Sequence, residues 1–249
     1  MRRPSLTNIA HRPWPHPESP YDWRQSWLDL AFAHWRIDFD ALRPLIPAAL
    51  DIDTFDGAAW VGIVPFRMEN VMRRALPNLP GISAFPELNL RTYVTRNGKP
   101  GVWFFSLDAS NALAVWAARR FFHLPYQNAK IDFAQTDDTY SFRSFRPNHP
   151  LAATFKARYR PTSPAYYAQA GTLEHWLTER YCLYAQSPDQ ILYCGEVHHD
   201  PWPLQAAEME IQQNDLLTPH GLSISGPPET LHFSKAIHVA VWNIEKVKL

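Results

Sequence analysis

The 249-residue chain has two cysteines and nine glycines, its charges cancel, and none of its oily stretches is long enough to cross a bilayer. Each shortage removes a class of function. Two thiols, Cys182 and Cys194, make neither a disulfide framework nor a structural zinc site, so both are expected to be reduced and buried. The few glycines form no GxGxxG turn, no P-loop and no GxSxG elbow. Dinucleotide binding, phosphate cradling and acyl transfer by that elbow therefore lose their usual sequence support. Twenty-four basic side chains balance 24 acidic ones, and basic residues cluster only as pairs such as Arg2-Arg3 and Arg73-Arg74, which speaks against a nucleic-acid partner. Charges or prolines interrupt every apolar stretch before the roughly 20 residues of a membrane span. Residues 1–22, rich in proline and without a signal-peptide core, read as an extended arm ahead of a single domain over 23–249. A soluble, cytoplasmic protein is expected.

What the chain does have is aromatic, alternating sequence. SWLDLAFAHWRID and GAAWVGIVPFRMENV read as strands, and DALRPLIPAAL between them as a short helix stopped by Pro47. MRRALPNLPGISAFP reads as a loop. ELNLRTYVTR and GVWFFSLDA flank Asn97-Gly98, a pair suited to a tight turn with positive φ, and so predict a hairpin. NALAVWAARRFF has helical spacing, with Asp108, Ser110 and Asn111 as cap candidates. Residues 128–160 suggest an antiparallel meander, and GTLEHWLTER a helix started by Thr172. Two strands around a Ser-Pro-Asp turn follow, then a helix or strand through AAEMEIQQN and a last strand, SKAIHVAVWNI. Strands outnumber helices without regular strand-helix-strand alternation. The expected fold class is α+β, an antiparallel sheet curled into a barrel with a few peripheral helices, able to enclose a small-molecule cavity.

Within ELNLRTYV, the residues Glu87, Asn89, Arg91 and Tyr93 share one face of a strand while Leu88, Leu90 and Val94 take the other. That polar face is either wet or a site. As a site it offers an acceptor, an amide, a cationic fork and a phenol, which suit a carboxylate or carbonyl compound. His34 is either a general base or a hydrogen-bonded core residue. A metal is not expected. His198 and His199 are adjacent and diverge in a strand, Glu196 and His198 lack a third ligand, and Glu174-His175 is not the HExxH arrangement.

FAHWRID, IPAALDIDTFDGAAWVGIVPF, FPELNLRTYV, GVWFFSLDA, LPY, GTLEHWLTERYCLY and HHDPWPLQ together resemble the DUF2071 family, also called YqjF-like, over roughly residues 23–243. That family looks like a distant branch of the acetoacetate decarboxylase-like superfamily. The resemblance implies a barrel-like fold around a mostly apolar cavity. It puts Glu87 at the superfamily's site glutamate, Asp108 at its Leu-Asp strand end, Arg119 at its helix arginine and Pro125 before its paired lysines. Tyr126 and Gln127 then stand where decarboxylases have the Schiff-base lysine and its neighbour. Neither a phenol nor an amide can form an imine, so ordinary acetoacetate decarboxylation is not expected, and only Lys130, four residues on, offers an amine nearby. The implied roles are catalytic for Glu87, Arg91 and Tyr126, and ligand-contacting for His34, Asn89, Tyr93, Asp108, Arg119 and Gln127. No cofactor is expected, and the partner is a small molecule. A lyase, hydratase or isomerase, a non-catalytic sensor or carrier, and a partner-binding protein with this strand face outside are the competing readings.

Overall fold

The computed structural model describes residues 4–76, 83–147 and 150–248. Strand β1 (Trp23–Ile37) is followed by the one-turn helix α1 (Phe39–Leu42), capped by Asp38, and by β2 (Asp51–Ile52). The long strands β3 (Ala59–Arg73), β4 (Phe85–Arg96) and β5 (Lys99–Ala109) come next. Asn97 and Gly98, at φ 51° and 74°, make the tight β4–β5 turn. Helix α2 (Ala112–Phe122) takes Asn111 as its cap, since that side chain accepts from the backbone N–H groups of Leu113 and Ala114. It leads through His123, in the left-handed region, into β6 (Tyr126–Asn128). The meander β7 (Lys130–Thr136), β8 (Thr139–Arg146) and β9 (Ala153–Pro161) precedes α3 (Leu173–Thr178), which Thr172 caps. β10 (Cys182–Gln186), β11 (Leu192–His198), β12 (Leu204–Asn214), β13 (Thr230–Val241) and β14 (Glu245–Lys246) complete the chain.

Seven of these strands form a closed ring in the order β13, β1, β3, β4, β5, β10, β11, with β11 returning to β13 through Val197 opposite Val241 and His198 opposite Ala240. β12 leaves the ring at Leu204–Ala206 and continues into a second sheet, β12-β9-β8-β7. The space inside the ring and the space between ring and second sheet are separate cores. Leu30, Phe32, Val64, Phe66 and Leu107 fill the first, whereas Ala33, Trp35, Ile63, Leu88, Leu90, Phe142, Phe155 and Tyr159 fill the second.

The barrel-like sheet with few helices agrees with the expectation, and the protein is more strongly β than the α+β class implies, because the described helices are few and short. The sheet is not purely antiparallel, however, since β5 pairs in parallel with both β10 and β6. The stretch read as a loop from Met72 to Pro86 begins in β3 and ends in β4, and its centre, 77–82, lies outside the described residues. AAEMEIQQN is strand. Both cysteines are free, Cys182 buried and Cys194 half-buried. Residues 4–22 contain neither helix nor strand. Arg12 from this segment donates to Val197 O at 2.6 Å and to Glu196 at 3.0 Å, which lays it against β11.

The parallel β5–β10 junction joins the ring over a short register, Leu183 opposite Val102 and Tyr184 opposite Trp103. Gly101 makes the close approach possible: a Cβ there would stand 2.8 Å from both Cys182 Sγ and Tyr184 Cε2. Gly101→Ala is therefore expected to destabilise the protein by about 1–3 kcal/mol, the usual cost of overpacking. Urea unfolding measures this, and a variant as stable as the parent would show that the junction yields freely.

Candidate functional site

The ring encloses a cavity of about 340 Å³. Its wall is mainly apolar and aromatic, with Trp27, Phe32, Phe66, Phe104, Phe122 and Trp202 prominent. Trp27 and Trp202 stack at 6.0 Å, and Phe32 meets Trp202 edge-on at 4.8 Å. Period-two alternation along β4 sends Glu87, Asn89 and Arg91 into this cavity and Leu88, Leu90 and Val94 into the outer core. The polar face of that strand is thus not wet: Glu87 is 2% and Asn89 7% exposed.

Tyr126 closes one side. Arg119 of α2 reaches across to β6, donating from Nε to Tyr126 O at 2.5 Å and from Nη2 to Gln127 Oε1 at 3.0 Å. The Tyr126 phenol, fixed in this way, donates to Glu87 Oε2 at 2.8 Å. Burial pushes the Glu87 carboxyl up to about 8; the phenol's hydrogen bond opposes the shift and the charge of Asp108 adds to it. The Tyr126 hydroxyl is itself raised well above its usual range, by burial and by the adjacent carboxylate. A carboxylic acid poised this close to neutrality can both give and take a proton.

The other polar end is built from two arginines. Arg91 donates through Nη2 to Tyr93 Oη at 3.2 Å and to Leu177 O at 3.3 Å. Arg180, which follows α3, donates to Trp176 O at 2.7 Å and to Asp53 Oδ2 at 2.5 Å. Its guanidinium lies 4.8 Å from the Tyr93 ring and 4.2 Å from the Trp176 ring. Burial lowers the Arg180 pKa and Asp53 opposes that, while the nearby Arg91 charge lowers it further. Asn89 Oδ1, Arg91 Nε and Arg180 Nη2 are buried without a hydrogen-bond partner among the described residues.

Of the nine residues singled out from the sequence, Glu87, Asn89, Arg91 and Tyr126 line the cavity together. Tyr93, His34, Arg119 and Gln127 stand one layer behind them. Tyr93 is fully buried and contacts both arginines. His34 Nε2 bonds Tyr93 Oη at 2.6 Å, and its pKa falls well below the usual value through burial and the charges of Arg91 and His232, so the ring is neutral and supports Tyr93. Asp108 is placed differently from the expectation. It faces the second sheet, accepts from Ser144 Oγ at 3.0 Å and pairs with Arg146 at 3.4 Å, both partners on β8. Even-numbered residues at the end of β5 point away from the cavity, and this parity takes Asp108 with them. Lys130 is exposed on β7, and no lysine lines the cavity.

Arg180, Asp53, Thr178 and Trp202 were not anticipated. Arg180 sits in the run TERY between a helix and a strand, where a charged residue reads as a solvated helix end. Only the fold brings Asp53 to it. Glu196 and His198 serve the N-terminal segment: Glu196 is held by Arg12, Trp14 and Lys99, and His198 Nε2 bonds Ser5 O at 2.7 Å. No group of three His, Cys, Asp or Glu among the described residues is placed to hold a metal ion.

This ring with its central cavity is the fold of acetoacetate decarboxylase-like proteins. The enduracididine biosynthesis enzyme MppR complexed with pyruvate superimposes with a TM-score of 0.64 at 13% identity, covering 99% of each chain. An acetoacetate decarboxylase-like enzyme from Sphingomonas wittichii RW1 gives 0.64 at 14% identity over 92% of this chain and 94% of that one. Acetoacetate decarboxylase from Legionella pneumophila subsp. pneumophila str. Philadelphia 1 gives 0.57 at 15%, over 100% and 98%. Within that fold the chain belongs to the DUF2071 family, described as an uncharacterized conserved protein, whose model matches residues 24–238. Uncharacterized protein YqjF of Bacillus subtilis (strain 168) is 46% identical over 230 residues, 92% of this chain and 94% of that protein.

Two predictions follow from the buried carboxyl groups. Glu87 holds its proton more tightly folded than unfolded, so its contribution to stability is present below the ordinary value of 4.5 and is lost as pH rises to about 8. Glu87→Gln should remove that loss, leaving a stability profile flatter by up to ~1.4 kcal/mol per pH unit across the window. Chemical denaturation from about pH 5 to about pH 8 tests this, and parallel profiles for the two proteins would refute it. Asp108 shifts in the same direction, by burial, in both proteins and cancels from the comparison. Arg146→Met leaves the Asp108 carboxylate unpaired between the sheets and should cost about 3–5 kcal/mol in the same assay.

Proposed function

We propose that the protein binds a small organic molecule carrying a carbonyl or carboxylate group and catalyses proton transfer on it without forming an imine. The observation that carries this reading is the buried Glu87 carboxyl, with a pKa near 8 and the Tyr126 phenol on its Oε2, facing an apolar cavity. Glu87 is the proton donor and acceptor, Tyr126 orients it, and Arg91 balances negative charge on the bound molecule. Enolisation, hydration and isomerisation next to a carbonyl all use such a group and need no redox cofactor.

Two features support the exclusion of Schiff-base chemistry. On the sequence resemblance, Tyr126 stands where decarboxylases carry the reactive lysine. The cavity wall contains no lysine, and neither do residues 1–3, 77–82, 148–149 and 249. Those same features also suit a non-catalytic carrier built on an enzyme scaffold, which the experiment below separates. A partner-binding role for the β4 face has no support from Glu87 and Asn89, both of which are buried.

The test is exchange of C–H for C–D next to the carbonyl of short 2-oxo and 3-oxo acids in D₂O, followed by proton NMR. Catalysed exchange is expected in the parent, with a loss of about 10²-fold or more in Glu87→Gln and full resistance to borohydride trapping. Exchange equal in parent and Glu87→Gln would overturn the assignment of Glu87, and inactivation by borohydride in the presence of the acid would overturn the imine-free reading. No exchange with any acid, together with retained binding, would make the protein a carrier.

A further inference from the structure

The cavity holds more positive charge than the proton-transfer reading uses. Glu87, Arg91, Arg180 and His199 are the wall's acidic, basic and imidazole side chains. Burial keeps His199 neutral near pH 7, and Glu87 is largely protonated there. Asp53 offsets Arg180 from behind, with 19% of its side chain exposed. Glu179 is turned to Tyr181 and to the Trp202 N–H. Of the two guanidinium groups at the wall, Arg91 has no ion-pair partner among the described residues, its hydrogen bonds going to Tyr93 Oη and Leu177 O.

Arg180 is 7% exposed, and its Nη2 has no hydrogen-bond partner among the described residues. Trp176 O and Asp53 take its Nε and Nη1, so Nη2 is the donor left for a bound molecule, and a buried donor left unmade is costly. Tyr93, Trp176 and Asp53 hold the guanidinium in one orientation, and Tyr93 also bonds Arg91. This is a prepared fork for a planar anion.

The remaining wall is a different environment. Trp27, Phe32, Phe66 and Trp202 form a packed aromatic surface. Along β4, Glu87 and Arg91 stand four residues apart, roughly 13 Å of extended backbone. A three-carbon acid held at the arginines would cover little of that aromatic surface beyond Phe32, whose ring lies 5.4 Å from the Arg91 guanidinium.

We propose that the cavity is a site for an elongated monocarboxylate, its carboxylate held between Arg91 and Arg180 and its aliphatic or aromatic part against Trp27, Phe32, Phe66 and Trp202. This rests on the reading that the cavity is the functional site and deepens it by naming the ligand class. One wall guanidinium without an ion-pair partner favours a monoanion over a dianion and disfavours amines.

Calorimetric titration of the full chain at neutral pH with butanoate, octanoate, 3-phenylpropanoate, succinate and octanamide tests the assignment. Octanoate and 3-phenylpropanoate are expected to bind, with octanoate about a hundredfold tighter than butanoate for its four additional buried methylenes. Octanamide and succinate should bind about tenfold more weakly than octanoate or worse, and Arg180→Lys should weaken octanoate by about tenfold. The comparison among ligands needs only the parent protein, so a poorly folded variant does not decide the outcome. Octanamide binding as tightly as octanoate, butanoate binding as tightly as octanoate, or no binding by any acid would overturn the assignment. If the parent prefers octanoate as expected while proton exchange proves independent of Glu87, the monocarboxylate site stands and the catalytic reading falls. If exchange depends on Glu87 while acid and amide bind alike, the monocarboxylate site falls alone.

Discussion

Strand β4 has no face toward solvent over most of its length, and the rest of the site depends on that constraint. An antiparallel strand with a wet face can carry polar side chains at little cost. Here one side meets the outer core through Leu88, Leu90 and Val94, and the other meets the cavity through Glu87, Asn89 and Arg91. Ring closure takes Glu87 and Asn89 out of contact with bulk solvent. Their ionisation and hydrogen bonding are then set by a few neighbours, and this is why Glu87 departs so far from an ordinary carboxyl group.

A second layer makes the polar groups stay in place. Tyr93 receives hydrogen bonds or ring contacts from His34, Arg91, Arg180 and Trp176 and reaches no solvent itself. Gly62 lies against the His34 ring so closely that a Cβ would come within 2.9 Å of it. On the opposite side, Arg119 holds the backbone of Tyr126. Side chains that touch the cavity are thus fixed by others that do not, an arrangement that lets buried polar groups keep one geometry.

Much of this was legible in the sequence, and the parts that were not have physical reasons. Alternation in ELNLRTYV revealed which residues share a face, and Asn97-Gly98 placed the hairpin. AAEMEIQQN was ambiguous because its charged and apolar residues alternate along an exposed strand that also contains good helix formers. Asp108 was drawn toward the site by its position at a strand end, but its parity on β5 sends it to Arg146. Arg180 was invisible for the opposite reason: its partner Asp53 is 127 residues away in the chain, and no local pattern encodes such a meeting.

The ring's closing strand has a consequence for how the molecule is made. β13 pairs with β1 along nearly its whole length and also touches β11 and β12, so residues near both ends of the chain share one junction. During synthesis on the ribosome, β1 can pair with β3 early but must wait for about two hundred further residues before its second neighbour, β13, exists. Until then the aromatic lining of the future cavity has nowhere to hide. A nascent chain of this topology forms its interior last, and its need for protection by chaperones is greatest just before the final strand emerges.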